Sequence, residues 1–241
     1  MAYDDNSHGT HVAGIIAGNG IRSRGVYQGV APEAGLVVMK VLDRKGNGNT
    51  RHIVQAIEDV IQKKEQYQIR ILNISVGMLP SADPAERQQL LQAVEKAWQA
   101  GIVVVAAAGN NGPDPGTVTV PGSSKCVITV GSVDDEIRRG SYVRTGYSGR
   151  GPTEGCVVKP EILAPGTNIV SCSVRGNGYE AKSGTSMSAP VVSGILALLL
   201  QKYPQMTPAE VKLRLYEHAV ACRGEAGKNS WGMLYLDRIL A

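Results

Sequence analysis

The sequence predicts an α/β fold, a doubly wound and mostly parallel sheet with helices on both of its faces. Two observations support this prediction. Short valine-rich apolar runs, typical of strands buried on both sides, alternate with segments whose apolar residues recur at helical spacing. The alternation continues without repeats, low-complexity segments or long linkers, so we expect one domain spanning residues 1–241.

Four runs are predicted to form strands of this sheet. They are short, mostly apolar and rich in β-branched residues, and the first has the composition of a buried parallel strand. Ligands bind such sheets at the carboxyl ends of the strands, so we expect the active site there. The runs lie at Leu36–Leu42, Ile69–Val76, Ile102–Ala106 and Val127–Val130.

Three helices are predicted around these strands. Apolar residues at i, i+3, i+4, i+7 and i+8 indicate the first from Ile53 to Ile61. Leu90 to Trp98 indicate the second, which Gly101 is expected to end. Thr207–Glu210 carries a capping-box pattern with proline at the first helical position, which predicts the third.

The composition argues against several classes of protein. The net charge is only +4 and Lys and Arg are scattered, so we expect no nucleic-acid partner. The longest apolar stretch, Val191–Leu200, has about half the length of a membrane span, so we expect no membrane partner. The sequence supports no prediction of the oligomeric state.

The cysteines and the N-terminus predict a location. The four cysteines are well separated and form no CxxC pair, which favours free thiols in a reducing compartment over disulfides or bound metal. Residues 1–5 are acidic where a signal peptide would be basic and then apolar. We therefore expect a cytoplasmic protein, on the condition that no signal stands upstream of Met1.

The first motif with chemical potential is Asn6–Gly14, in which His8 precedes an apolar helix. At such a turn the ring can project into a cleft, and histidine exchanges a proton near neutral pH. His11 follows one helical turn later, so the two could form a metal-binding pair. Zinc peptidases, however, favour HExxH, and Gly9 stands where the glutamate would be.

The second motif is Ser183–Pro190, which places Ser186 at the start of a buried helix. Backbone N–H groups and the helix dipole stabilise negative charge at that position, as a serine nucleophile requires. The motif is not the GxSxG elbow, because Ser188 replaces the second glycine. Taken alone, a serine in such a turn is more often a helix cap.

The third motif is Ala106–Gly112, directly after a predicted strand. Asn110 at the carboxyl end of that strand can offer a side-chain N–H to a developing oxyanion. The alternative is a loop asparagine that stabilises a turn.

Together the three motifs resemble the subtilisin family of serine peptidases. Family members carry segments like HGTHVAG, AAGN and GTSMSAP in that order, and here these stand at His8–Gly14, Ala107–Asn110 and Gly184–Pro190. Shorter family-like segments lie between them, and the resemblance extends from Asp4 onward. It implies a serine endopeptidase that acts on polypeptides.

The resemblance also implies roles for individual residues. Ser186 would attack the scissile carbonyl, His8 would take its proton, and the acyl-enzyme would then be hydrolysed. Asn110 and the Ser186 N–H would hold the oxyanion. For substrate binding it implies Ser75, Val76 and Gly77 as a strand that pairs with the peptide, and Ala107, Ala108, Gly109 and Thr119 around an open pocket for large apolar side chains.

The chain departs from the family pattern at a loop and at its start. Arg22 and Arg24 stand where secreted members carry a calcium loop, so a tight calcium site is disfavoured there. We expect no cofactor to be required for catalysis; structural calcium elsewhere stays open, but the sequence gives it no support. The segments around this loop resemble those of cytoplasmic bacterial members. Only seven residues precede His8, and Asp4 and Asp5 match loop acids of the family, so we expect the catalytic aspartate and its strand to be missing.

Two hypotheses explain the expected absence of the catalytic aspartate. The first is a fragment of an active endopeptidase whose upstream reading frame encodes an apolar strand ending in Asp-Thr-Gly or Asp-Ser-Gly. The second is a catalytically impaired pseudoprotease that binds peptides.

Overall fold

The computed structural model describes residues 3–139, 142–175, 178–222, 227 and 229–241. The helices are α1 (His8–Ala17), α2 (Thr50–Gln62), α3 (Lys64–Tyr67), α4 (Pro84–Gln99), α5 (Thr185–Lys202), α6 (Pro208–His218) and α7 (Leu236–Ile239), with a 3₁₀ turn at Ile21–Ser23. The strands are β1 (Ile71–Ile74), β2 (Val103–Ala107), β3 (Ile128–Ser132), β4 (Glu136–Arg139), β5 (Tyr142–Thr145), β6 (Ile162–Ala164), β7 (Ile169–Cys172), β8 (Tyr179–Lys182) and β9 (Gly232–Met233).

Five of these strands form one parallel sheet in the order β1-β2-β3-β6-β9. At its centre, Val105 of β2 pairs with Asn73 of β1 on one side and with Ile128 of β3 on the other. The remaining strands form two antiparallel hairpins, β4–β5 and β7–β8. The predicted fold class, a mostly parallel sheet with helices, is confirmed.

Strand β2 shows why helices cover both faces of the sheet. Val103 and Val105 pack in a core with the apolar side of α5, whereas Val104 and Ala106 pack in a second core with α2 and α4. All four residues are fully buried. Because successive side chains of a strand point to opposite faces, a strand covered on both sides must be apolar at every position.

The residues predicted to end α4 and to begin α6 do so in the structure. After α4 the chain turns at Gly101, whose φ of +84° is a left-handed conformation that favours glycine. Helix α6 begins with the complete capping box: Glu210 N–H donates to Thr207 Oγ1 at 3.3 Å, and Thr207 N–H donates to Glu210 Oε2 at 2.7 Å.

The predicted buried strand at Leu36–Leu42 is wrong. These residues form no strand, and Leu36, Val37, Val38 and Met39 are exposed, Val38 to 68%. Apart from one bridge between Leu42 and Gly48, no strand of the described residues lies beside this segment. Apolar composition alone does not make a strand, because a strand also needs a hydrogen-bonded neighbour.

The four cysteines are free thiols, as predicted. Within the described ranges, no helix has the length and apolar character that a bilayer crossing requires.

Candidate active site

Two adjacent strands and one helix bring the predicted site together. Because β1 and β2 are parallel neighbours, the segments after their carboxyl ends adjoin, and the start of α5 lies against both. The result is a pocket of about 290 Å³. It is lined by Ser75, Val76, Gly77, Leu79, Ala107, Gly109, Asn110, Asn111, Thr119, Thr185 and Ser186.

Ser186 is the second residue of α5, an 18-residue helix whose N-terminus opens on this pocket. The helix has no side-chain cap, since Gly184 occupies the capping position, so the alternative of Ser186 as a helix cap does not hold. Gly184 has a φ of +148°, and a Cβ there would lie 3.0 Å from Asn110 Nδ2. The Ser186 hydroxyl donates to the Ser75 carbonyl at 2.9 Å.

Asn110 is oriented by the residue that precedes the serine. Its Oδ1 accepts the Thr185 N–H at 2.9 Å and the Thr185 hydroxyl at 3.1 Å. Two donors on one atom identify that atom as the amide oxygen, so Nδ2 is the end that can donate to an anion. The Thr185 hydroxyl in turn accepts the Gly109 N–H at 3.0 Å. Asn110 thus stabilises its loop, as the alternative reading supposed, and also borders the pocket.

A carboxylate fixes the turn before His8. Asp4 accepts the N–H groups of Asn6, Ser7 and Thr10, each at 2.9 Å, together with the Thr10 hydroxyl at 2.7 Å. Partial burial opposes ionisation, but these hydrogen bonds hold the pKa of Asp4 well below its usual range. The Asp4 carboxylate is therefore committed to the start of α1.

His8 is the first residue of α1, which packs against α5. Burial lowers its pKa, as do the charges of Lys182 and His11, while Asp4 has the opposite effect. The ring is therefore neutral at pH 7 and able to accept a proton. Among the described residues it makes no hydrogen bond or ion pair, and in particular none to Ser186 or to a carboxylate.

His11 is buried, and two backbone carbonyl groups hold its ring. Its Nε2 lies 3.0 Å from the Ile169 carbonyl and 3.1 Å from the Glu180 carbonyl, so this nitrogen carries the proton and donates to both. It thereby ties α1 to the β7–β8 hairpin. In the part of the chain that the structure describes, no three His, Cys, Asp or Glu side chains lie close enough to hold a metal ion.

Thr119 lies between Gly77 and Gly109, two glycines that line the pocket. A Cβ at Gly77 would meet Thr119 Oγ1 at 2.5 Å, and a Cβ at Gly109 would meet Thr119 Cγ2 at the same distance. The threonine therefore fills the space that the small residues on either side leave. Ala108 does not reach the pocket: it is fully buried, with its N–H on Val130 and its carbonyl accepting the Thr119 N–H.

A second pocket, of about 250 Å³, shares Val76 and Gly77 with the first as lining residues. Its lining is mixed and includes the polar residues Thr50 and Glu86, which are hydrogen-bonded to each other at 2.9 Å. The apolar members are Leu42, Ile53, Ile74, Val76, Met78 and Leu90.

The chain matches a known protein family over almost its whole length. The model for the subtilase family (Peptidase_S8) matches residues 1–234. The chain belongs to the subtilase family.

Named relatives agree with this subtilase assignment. The chain is 45% identical over 229 residues to serine protease AprX of Bacillus subtilis (strain 168), a match that covers 87% of this chain and 52% of that protein. It is 38% identical over 214 residues to subtilisin DY of Bacillus licheniformis, covering 88% of this chain and 70% of that protein. The chain thus spans about half the length of AprX.

Solved subtilase structures share the fold. Sphericase superimposes with a TM-score of 0.77 at 32% identity, covering 91% of this chain and 71% of that chain. A cold adapted subtilisin-like serine proteinase gives a TM-score of 0.76 at 31% identity, covering 96% of this chain and 75% of that chain.

Sequence reasoning missed several residues of the subtilase site. Thr185 had a signal, since a hydroxyl beside a candidate nucleophile at a helix start can bind a neighbouring loop. Leu79, Asn111 and the second pocket had none, because long-range packing alone brings them to the cleft.

Proposed function

We propose that the chain is the peptidase part of a serine endopeptidase that cleaves polypeptides through an acyl-enzyme. Ser186 is the nucleophile, His8 the general base, and Asn110 with the Ser186 N–H the oxyanion donors. The observation that supports this most directly is the pinned Asn110 amide beside Ser186 at the N-terminus of α5, because that arrangement provides donors where negative charge develops. The chemistry uses side chains of the chain itself, so we propose no cofactor.

The reaction begins with a rotation of the Ser186 hydroxyl. In the structure it donates to the Ser75 carbonyl, so it must turn toward His8 before the imidazole can take its proton. Such hydrogen bonds are often loose or differently paired before substrate binds. Ser186 Oγ then attacks the carbonyl carbon, His8 carries the proton to the leaving amine, and water releases the acyl group by the reverse steps.

The substrate is proposed to bind as an extended strand along Ser75, Val76 and Gly77. The side chain before the cleaved bond enters the pocket beside Ser186, where Ala107, Gly109 and Thr119 surround it. Since the side chains of an extended peptide project at regular intervals along it, another residue of the same peptide can occupy the second pocket, which Val76 and Gly77 also line.

A second candidate function is peptide binding by a catalytically impaired pseudoprotease. The observation that favours it is the pairing of the Ser186 hydroxyl with Ser75 while His8 has no carboxylate partner among the described residues. A histidine without that partner is not held in the required tautomer. In subtilisin itself, loss of the aspartate alone lowers kcat by about 3 × 10⁴.

A fluorophosphonate probe separates the two functions. The 241-residue chain and a version extended upstream by the expected strand ending in Asp-Thr-Gly or Asp-Ser-Gly are incubated with the probe, with Ser186→Ala and His8→Ala variants as controls. We expect labelling of the extended chain to be fast and to depend on both residues. If no form is labelled while peptides still bind, the pseudoprotease is the correct description.

A further inference from the structure

The β7–β8 hairpin places a lysine beside the turn that carries His8. Strand β8 ends at Lys182, four residues before Ser186. Lys182 Nζ lies 3.2 Å from Glu180 Oε1, and the Ser7 hydroxyl donates to the same oxygen. Because Ser7 is followed directly by His8, the Glu180–Lys182 pair is fixed to the turn of the base.

Glu180 holds this arrangement in its charged form. The Ser7 hydroxyl and Lys182 lower its pKa, although burial opposes them, so the carboxylate stays ionised near neutral pH. An ammonium group has three donors, and Glu180 is the one partner that the described residues give Lys182. Lys182 can therefore bind a second anion without losing Glu180.

The chemistry of acyl transfer says which part of a substrate passes this lysine. The histidine delivers its proton to the leaving amine, so the leaving peptide must lie on the side of His8. The pocket beside Ser186 lies on the other side, where Asn110 and Gly109 line it and His8 does not. Lys182 consequently faces the part of the peptide that follows the cleaved bond.

More positive charge lies along the same hairpin. An Arg22 guanidinium nitrogen would lie 2.9 Å from a Cβ at Gly178, the residue before β8, about 13 Å from Lys182 at the rise of a strand. Arg24 and Arg175 are exposed nearby in the chain. None of these three arginines has a carboxylate partner among the described residues.

The neighbouring acids do not cancel this charge. The Asp4 carboxylate keeps its negative charge at the start of α1, and Asp5 pairs with Lys40 at 2.8 Å. Glu180 offsets Lys182 alone. The five cations Lys182, Lys40, Arg22, Arg24 and Arg175 outnumber the three carboxylates Asp4, Asp5 and Glu180, so the surface beside the leaving side of the site is positive overall.

We propose that Lys182, with Arg22 and Arg175 further along the hairpin, forms a subsite for acidic residues on the leaving-group side of the cleaved bond. The inference rests on the proposed peptidase function and adds a substrate class to it, polypeptides with Asp or Glu after the scissile bond. Each contact is a partly exposed ion pair, so its effect is modest and screened by salt.

Peptide binding to the Ser186→Ala variant tests this without requiring turnover. The fluorescent peptides differ only in the two residues after the scissile bond, which are Asp-Asp, Asn-Asn or Lys-Lys. Their binding is measured by fluorescence anisotropy at low salt and with 0.5 M added salt, which shortens the Debye length to about 4 Å. We expect the Asp-Asp peptide to bind roughly three-fold to ten-fold more tightly than the Asn-Asn peptide at low salt, and much less so at high salt.

Variants identify the source of that preference. Lys182→Met should abolish most of it and Lys182→Arg should keep it, whereas Lys63→Met, a change at an exposed lysine of α2's C-terminal end, should leave it intact. Equal binding of the Asp-Asp and Asn-Asn peptides, or a preference that survives Lys182→Met, overturns the inference.

The failure of this inference is distinguishable from failure of the proposed function. Fluorophosphonate carries no leaving peptide, so labelling of Ser186 tests the function alone. Labelled protein without an acidic preference refutes the subsite only. An acidic preference without labelling of either the 241-residue or the extended chain refutes the peptidase function and leaves an acidic-peptide site at Lys182.

Discussion

Thr185 and Asn110 are joined by two hydrogen bonds, at 2.9 Å through the Thr185 N–H and at 3.1 Å through its hydroxyl. The pair ties the first turn of α5 to the loop after β2. The residue that precedes the proposed nucleophile thus sets the direction of the proposed oxyanion donor, and the two catalytic parts are positioned as one unit.

Replacing Thr185 with valine should loosen that unit. The valine keeps the shape and the backbone hydrogen bond but leaves the partly buried Gly109 N–H without its acceptor, which costs about 1 kcal/mol. Urea unfolding measures that loss, and fluorophosphonate labelling should slow with it. Thr185→Ser, which keeps the hydroxyl, is the matched control; equal loss in both variants contradicts the assignment.

The protonation of His8 should depend on Lys182. Burial and the Lys182 charge lower the His8 pKa, so the imidazole should titrate below about 6.5, and labelling of Ser186, which needs the neutral ring, should fall only below that pH. Lys182→Met removes a positive neighbour and should move both transitions to higher pH, whereas Lys182→Arg should not. NMR titration of the imidazole protons measures the shift, and an unmoved midpoint in Lys182→Met refutes it.

Asp4 should stabilise the fold in its ionised form only. Because its pKa in the folded protein lies below the unfolded value, its contribution is present above about pH 4 and is lost as the pH falls through the folded pKa. Asp4→Asn should therefore lower the free energy of unfolding by about 1 kcal/mol at pH 7 and by less near pH 3. Asp5→Asn, whose partner is the partly exposed Lys40, is the control with little effect.

A buried charge network links β6 to α6. Lys159 is fully buried and its Nζ lies 2.7 Å from Glu161 Oε1, and Lys212 Nζ lies 2.8 Å from the same oxygen. Burial lowers the pKa of Lys159 to about 8 although Glu161 opposes the shift. Glu161 therefore has two cationic partners, whereas Lys159 has one carboxylate.

This asymmetry predicts unequal effects of mutation. Glu161→Gln leaves a buried cation without its counter-charge and should cost about 3–5 kcal/mol in unfolding free energy. Lys159→Met should cost less, because Lys212 still pairs with Glu161. Glu154→Gln, which breaks an exposed pair with Arg87, should change stability by under about 1 kcal/mol. Urea unfolding of the three variants gives the order, and equal costs contradict it.

Local signals made much of the fold predictable. The capping box at Thr207 and the turn at Gly101 depend on a few adjacent residues, and the apolar run of β2 reports a strand covered on both faces. The strand predicted at Leu36–Leu42 is wrong because it depends on a distant part of the chain. Its residues have the composition of a strand, but a strand also needs a hydrogen-bonded neighbouring strand, and the described residues provide none there.

For the candidate site, too, some features could be predicted from the sequence and others could not. The segments around Asn110 and Ser186 could be predicted to meet, because each follows a strand or starts a helix at one edge of the sheet. The contacts between them could not. That Thr185 holds Asn110, that Thr119 fills the space between Gly77 and Gly109, and that Ala108 is buried away from the pocket are consequences of long-range packing.

The fit of Thr119 between Gly77 and Gly109 makes the order of sequence changes matter. A side chain at Gly77 has no room while the threonine is present, and Gly109 is further restricted by its φ of +92°. A Cβ at Gly77 would also lie 2.9 Å from Thr119 Cβ, so a change of Thr119 to glycine, but not to alanine, removes the obstacle. Gly77→Ala becomes accessible after that change; the reverse order passes through a clash. Variation in this pocket is therefore path-dependent, and the two positions should be strongly non-additive.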